Sequence, residues 1–467
     1  MRHLLFLNNT MLNKLSLVLA ALNIILGSFS ICSAGNDPQA NSNIPAIAKY
    51  FGTKGRYEEA NPHLLDDILY VNKSNVEPPS SDCKAVHITA ILRHGTRFPS
   101  KKYIKYMKNI YSLVLTKANG SESWLRDLQT QWNMWYNEEM DGRIAQKGRD
   151  DLSHLAVRLA TSFPTLLSEE NLRNNHFQII TSSKHRCVDS IKAFEEGLAN
   201  LWKNEDLEFN HGENDELMRF FDQCRRFIQN VANNSTALTE MDLFRSKPEM
   251  RRVQEKVADR LQVPYSNITT DLVEAAFLLC AYDFAIKTEN SPWCRLFDEE
   301  DAQVLEYLND LKQFWKRGYG HDINRKSSCS LFHDLFNRLD RVANASRFGQ
   351  VTEAVTIQMG HAETLLPLLT LLGFFKDELP LNSSNYASQR DRMFRTSRII
   401  PYAANLVLVL YDCTEGLRLQ ALLNEKPLYF PNVSHPAPLY HTVKQGYQEL
   451  LQGCSFKKEC ELPTSER

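Results

Sequence analysis

Between Cys83 and Ser121 the chain contains no aspartate and no glutamate. The whole protein has 467 residues, 24% of them charged, and a formal net charge of -2. So long a one-sided stretch is therefore a local feature and not a global bias. The near-neutral total gives no ground for nucleic-acid or anionic-membrane binding. Eight cations occupy the stretch: Lys84, Arg93, Arg97, Lys101, Lys102, Lys105, Lys108 and Lys117. The outer lysines suit either a solvated helix face or a funnel that steers a multiply charged anion.

Other absences narrow the chemistry. There is no P-loop and no H-E-x-x-H. Only four residues separate Cys413 from Arg418, one too few for the Cys-x5-Arg loop of cysteine phosphatases. His185 and Cys187 flank Arg186 without the further spacing a zinc site needs. Long apolar runs are confined to the N-terminus, because Leu365 to Phe375 is short and interrupted by Pro367 and Gly373. The C-terminal ELPTSER has no retrieval signal and no apolar tail. Internal repeats and low-complexity segments are also lacking.

The N-terminus reads as a secretory signal over residues 1–34. Arg2, His3 and Lys14 are basic, Leu15 to Phe29 is mostly apolar, and Cys32-Ser33-Ala34 supplies small residues for cleavage. An uncleaved anchor at the cell surface is the alternative. Secretion makes the cysteines legible as a disulfide framework. Nine remain after Cys32, an odd number, so at least one thiol is unpaired or pairs elsewhere. Cys280 with Cys294, and Cys454 with Cys460, are near enough to close small loops, but spacing does not fix connectivity. Asn72, Asn119, Asn233, Asn234, Asn267, Asn344, Asn382 and Asn432 each open a glycosylation sequon.

With 43% hydrophobic residues the chain fills one large domain or two moderate ones. Three segments share one grammar: AVHITAILRHGTRFP, HFQIITSSKHRCVDSIKAFEEGL and AVTIQMGHAETLLPLLTLLG. Each is a strand leaving through a turn at a cluster of basic or ionisable residues, and the last two continue into a helix. Asn405 to Tyr411 reads as a further strand, and Gly148 to Ala160 as a covering helix. Residues 104–140 form an aromatic-rich insertion. Residues 205–345 carry helical spacing, as in TDLVEAAFLLCAYDFAI. The expected organisation is a discontinuous α/β domain over 35–204 and 346–467, with a helical domain over 205–345. In open α/β sheets, sites form outside the carboxyl ends of the strands. Convergence of three such ends brings together Arg93, His94, Arg97, Arg186, His361 and Glu363.

A neutral imidazole is a good nucleophile toward phosphorus. The transferring phosphoryl group needs its oxygens neutralised, which arginine does bidentately without losing its own proton. Nearby arginines also favour neutral His94. Bland readings exist for each residue. Arg93 and Arg97 pair with a carboxylate from elsewhere, Arg186 pairs with Asp189, and His361 and Glu363 merely open a helix.

RHGTRFP resembles the signature of the histidine acid phosphatases. TSSKHRCVDS and GHAET resemble two further segments of that family. Most of its members have His-Asp in the last one. The triplet His361-Ala362-Glu363 resembles the multiple inositol polyphosphate phosphatases, as do NDELMRFFDQC and SSKHRCVDS. The resemblance runs from about Tyr50 to Cys460. It implies a phosphoglycerate-mutase-like α/β sheet flanked by helices, an inserted helical domain, and no metal or other cofactor. It also implies roles. His94 is the nucleophile, and Arg93, Arg97, Arg186 and His361 clamp the phosphoryl group. Glu363 protonates the leaving oxygen. Apart from the resemblance, the place of Lys101 and Lys102 just after the motif suits either outer phosphates of the substrate or a solvated face. The expected activity is hydrolysis of phytate and lower inositol phosphates through a phosphohistidine, with 2,3-bisphosphoglycerate 3-phosphatase activity a further possibility. Two rivals stand: a histidine acid phosphatase of other specificity, and a non-catalytic inositol-phosphate-binding protein. The partner is a small-molecule substrate, with no nucleic acid and no obligate membrane partner. Oligomeric state and ring position are not legible.

Overall fold

The runs VHITAIL, FQII and VTIQM are rich in apolar and β-branched residues, as strands half or wholly covered by helices require. A computed structural model of the protein describes residues 44–350 and 352–462. The expected signal over 1–34 lies outside the described residues. The strands are β1 (Lys84–Arg93), β2 (Phe177–Thr181), β3 (His211–Glu213), β4 (Val355–Gly360), β5 (Asn405–Cys413), β6 (Gly416–Leu423) and β7 (Lys426–Leu428). They form one mixed sheet in the order β3-β2-β4-β1-β5-β6-β7. The first four run parallel, and β5, β6 and β7 add an antiparallel flank.

Strand periodicity splits the core into two faces. Ala90 and Leu92 point to one side. There α2 (Gln146–Ser162) brings Leu152, Leu155 and Leu159, and α3 (His185–Trp202) brings Ile191, Phe194 and Leu198. Ile91 points to the other side, with Leu406, Leu408 and Leu410 of β5. That side is covered by α7 (Ala362–Leu371) and α6 (Cys329–Ser346). The same hydrophobic cluster continues into α1 (Lys101–Lys117), α4 (Thr270–Lys287) and α5 (Glu299–Arg317). The helical segment and the sheet thus share one core, and β3 carries the sheet past residue 204.

Helix α4 is apolar nearly all round and accordingly buried. Its buried carboxylate, Asp283, accepts hydrogen bonds from Trp132 (2.7 Å), Trp135 (3.0 Å), Tyr136 (2.7 Å) and Ser291 (2.7 Å). A buried charge is tolerable when so fully satisfied, and this one ties the aromatic insertion to the helical segment.

Four disulfides are present among the described residues: Cys83–Cys413, Cys224–Cys460, Cys280–Cys294 and Cys329–Cys454. The expected short loop between Cys280 and Cys294 is closed. The one between Cys454 and Cys460 is not, because Cys454 faces α6 while Cys460 packs with Cys224. The odd thiol is Cys187, buried at the start of α3. No described helix is long and apolar enough to cross a membrane.

One contact fixes the turn after β1. A Cβ on Gly95 would lie 2.1 Å from the Gly148 carbonyl oxygen, and one on Gly148 would lie 2.0 Å from that of Thr96. The turn therefore presses directly on the first turn of α2. Thr96 donates from its main chain (3.1 Å) and hydroxyl (2.7 Å) to Asp151, and the Gly95 N–H donates to Ser190 (3.1 Å). Replacing Gly148 with Ala should force the turn away from α2 and cost about 1–3 kcal/mol, the usual range for overpacking. The expected result is a lower Tm and reduced activity per folded molecule. Gly446→Ala, where a Cβ meets nothing within 4 Å, serves as the control with unchanged Tm.

Candidate active site

Register sets the site. Leu92 of β1 and Thr181 of β2 both lie opposite Met359 of β4. Parallel strands in level register end together, so His94, Ser182 and His361 emerge from one edge of the sheet. His94 is locked there through its backbone. Its N–H donates to Gly360 (3.0 Å) and its carbonyl accepts from Ala403 (3.2 Å).

The His94 ring has one defined tautomer. Nδ1 lies 2.9 Å from the Gly95 carbonyl, which only accepts, so Nδ1 carries the proton and Nε2 keeps its lone pair. Burial, then Arg93, Arg186, His361 and Arg97, hold the imidazole pKa well below its usual value. His94 is therefore neutral in mild acid.

The arginines are placed by different means. Arg93 donates to the carbonyls of Ile400 and Thr53, the latter at 3.0 Å. Its guanidinium also lies 4.6 Å from the Tyr402 ring centroid. Arg97 donates to the Phe98 carbonyl (2.8 Å). Arg186, in the first turn of α3, donates to His361 Nδ1 (3.2 Å). It does not pair with Asp189, which meets Arg149 at 3.5 Å. Donation from Arg186 leaves Nε2 of His361 to bear the proton toward Ser182 Oγ, 2.9 Å away. Burial, then Arg186, lowers the His361 pKa to about 3. The His94 and His361 rings stand edge to face, 5.7 Å between centroids.

These residues border a cavity of about 360 Å³ whose lining has eight cationic side chains and two carboxylates, Glu274 and Glu363. Both carboxylates are engaged. Glu274 accepts from Arg245 (2.5 Å) and Glu363 from Arg317 (2.6 Å). The Nε atoms of Arg93, Arg97 and Arg186 are buried without a hydrogen-bond partner. A bound oxyanion would satisfy these donors and the excess charge together.

The sequence-derived set is gathered almost complete: Arg93, His94, Arg97, Arg186 and Glu363 line the cavity or, for His361, abut Arg186. Lys102 is at its exposed rim. Lys101 is not in the lining. It points to solvent, 3.8 Å from Glu138, because adjacent residues of α1 face different directions. Sequence reading missed Lys54, Lys312, Lys316 and Arg317, which also line the cavity. Burial, with Arg97 and Arg93 next, pushes the Lys54 pKa well down; burial and Arg317 lower that of Lys316. Lys312 and Lys316 are one turn apart on α5, which was the available signal.

Glu363 is ionised in this setting. Burial would raise its pKa, but Arg317 foremost, then His361, its own main chain and Arg93, hold it well below the usual carboxylate range.

A model of the histidine phosphatase superfamily (branch 2) matches residues 86–426. The chain is 43% identical to human multiple inositol polyphosphate phosphatase 1, with 94% of this chain and 93% of the human protein covered. Among solved structures, the phytase from D. castellii superposes with a TM-score of 0.70 at 17% identity, over 89% of this chain and 87% of that one. The multiple inositol polyphosphate phosphatase of Bifidobacterium longum, in complex with inositol hexasulfate, gives 0.65 at 15% identity, over 82% and 93%. The two structures share the fold described above, and with the match of the family model and of the human relative they lead to one conclusion: this chain belongs to the histidine phosphatase superfamily, branch 2, within its group of multiple inositol polyphosphate phosphatases.

Proposed function

We propose that this protein hydrolyses phosphomonoesters of inositol polyphosphates through a phosphohistidine intermediate. One observation carries the reading: a neutral His94, with Nε2 free, stands among three arginines at the foot of a cavity with a large cationic excess. A single phosphate does not call for eight cations, whereas a ring bearing several phosphates does.

The chemistry follows from the placement. Arg93, Arg97 and Arg186 hold the oxygens of the phosphate being transferred, and their unpartnered Nε atoms are donors for it. The Nε2 lone pair of His94 forms a bond to phosphorus as the bond to the inositol oxygen breaks. Glu363 gives its proton to that oxygen, which leaves as a hydroxyl. Water then attacks the phosphohistidine, Glu363 takes a proton from it, and the P–N bond breaks to release phosphate and neutral His94. His361 is held by Ser182 and Arg186 as a neutral contact of the phosphoryl group. The remaining lysines and Arg317 meet the other phosphates.

The protein would act in the secretory pathway or outside the cell. Four disulfides support this, and none of the eight sequon asparagines is buried.

Two measurements test the reading. In the unliganded protein, the NMR resonance of His94, assigned by its loss in His94→Ala, should titrate well below the ~6.5 midpoint of a free imidazole. The sign follows from the surroundings: burial and arginines lower the pKa, so protonation begins only at more acid pH. A midpoint near the free value would remove the electrostatic argument for the nucleophile. In assays, His94→Ala should lose turnover on phytate while still binding it. Glu363→Gln should slow inositol phosphates by about 10²–10⁴-fold, the usual contribution of a general acid. An aryl phosphate, whose leaving group departs without a proton, should be slowed far less. Equal loss on both would remove Glu363 from the proton-donor role, and a wild-type protein that binds phytate without turnover would make it a binding protein.

A further inference from the structure

Glu363 presents a difficulty for any acid role. A general acid must arrive with its proton, yet this carboxylate is paired to Arg317 at 2.6 Å. Arg317 is held in place by a second bond, from Nη1 to Gln313 Oε1 (2.8 Å), one turn earlier on α5. The other groups that bear on Glu363 are cations, the neutral His361 imidazole and the buried Cys187 thiol at the start of α3. Arg93 and Arg97 act from the β1 end and Arg186 from α3. Lys54 acts from the segment before β1, Lys316 from α5, and His361 from the start of its own helix. The carboxylate across from it, Asp222, is already paired to Arg219.

The pair also separates two spaces. One side is the large cavity. The other is a smaller cavity of about 190 Å³, walled by Phe221, Phe227 and Pro367, which shares Lys316, Arg317 and Glu363 with the first. Arg317 therefore has a phosphate-binding space on one side and open volume on the other. A substrate with one phosphate fills the place before His94 and leaves the α5 cations unneutralised. A substrate with several phosphates puts an anion beside Lys312, Lys316 and Arg317. Guanidinium binds phosphate bidentately at least as well as it binds carboxylate.

We propose that Arg317 is a positioning residue that couples the readiness of Glu363 to the number of phosphates on the substrate: it holds the carboxylate while the cavity is empty, and moves to a neighbouring phosphate of a polyphosphorylated substrate. Glu363, released amid charge now neutralised, takes a proton from solvent and delivers it to the leaving oxygen. The inference rests on the assignment of Glu363 as the acid. It makes the enzyme discriminate against alkyl monophosphates by chemistry as well as by binding.

The test uses myo-inositol hexakissulfate, a polyanion of fixed charge that His94 does not turn over, and the purified mature protein. Calorimetry in buffers of different ionisation enthalpy reads protons taken up on binding. Uptake in mild acid should be larger in the wild type than in Glu363→Gln, and difference infrared spectra should show a protonated carboxyl on binding that the variant lacks. Kinetics supply the second arm. On glycerol 2-phosphate, a single phosphate with a poor leaving group, the wild-type kcat should fall with rising pH at lower pH than it does on phytate. Arg317→Gln should move the glycerol 2-phosphate limb upward by about one unit, a roughly tenfold gain above that limb. Arg317→Lys keeps the cation and should leave the limb near its wild-type position. Equal proton uptake with and without Glu363 overturns the coupling, as does an unmoved limb in a folded Arg317→Gln protein. Failure of the hexasulfate to bind overturns the polyphosphate reading itself, and a normal Glu363→Gln enzyme overturns the acid assignment. Either result is distinct from tight binding without coupled proton uptake.

Discussion

Arg93, Arg97 and Arg186 surround one imidazole, Lys54 lines the same cavity, and the two carboxylates there are both committed to other arginines. Like charges held in a partly desolvated space repel, and that repulsion is offset by the rest of the fold. Arg93 shows how. Two main-chain carbonyls and the face of Tyr402 hold a guanidinium that is almost wholly buried. Burial foremost, with Arg97 beside it, draws its pKa down to about 10, which still leaves it charged. The same field keeps His94 neutral, so the feature that strains the free protein also prepares the nucleophile.

Such a site needs a rigid frame, and the sheet supplies it. The three parallel strands that carry the reactive turns end in level register, and β1 and β4 are buried on both faces over the stretch that leads to them. The turn after β1 has no freedom to relax away from its charges, because Gly95 and Gly148 bring two backbones into direct contact. The Cys83–Cys413 bridge fastens the far end of β1 to β5. Repulsion at one end of the strand thus works against a structure fixed by packing, hydrogen bonds and a covalent link.

Much of this was legible in the chain. The strands β1, β2, β4 and β5 and the helix α2 were read within a few residues, since apolar runs bounded by glycine or serine turns carry a strong signal. The gathering of Arg93, His94, Arg97, Arg186, His361 and Glu363 followed from the rule that α/β sites form at strand ends. Reading failed where the signal was ambiguous. Lys101 and Lys102 are adjacent and alike in sequence, but one turns to solvent and the other to the cavity rim. Cys454 and Cys460 are near enough along the chain to close a small loop, but spacing does not fix connectivity, and each reaches across the fold to another partner.

What the sequence determined by itself is chemistry: which groups can attack phosphorus, which can neutralise it, and that no acidic residue lies near His94 along the chain. Those are properties of residue types and of short-range order, and they survive without coordinates. Only the tertiary structure decided which distant groups join them. Lys54 comes from a segment ahead of the sheet, and Lys312, Lys316 and Arg317 from a helix some fifty residues before Glu363, within a stretch whose helical period is fixed by its buried face. Whether such cations meet a cavity or solvent depends on how that helix rotates against the shared core. That rotation is set by the packing of many side chains at once, and no local pattern encodes it.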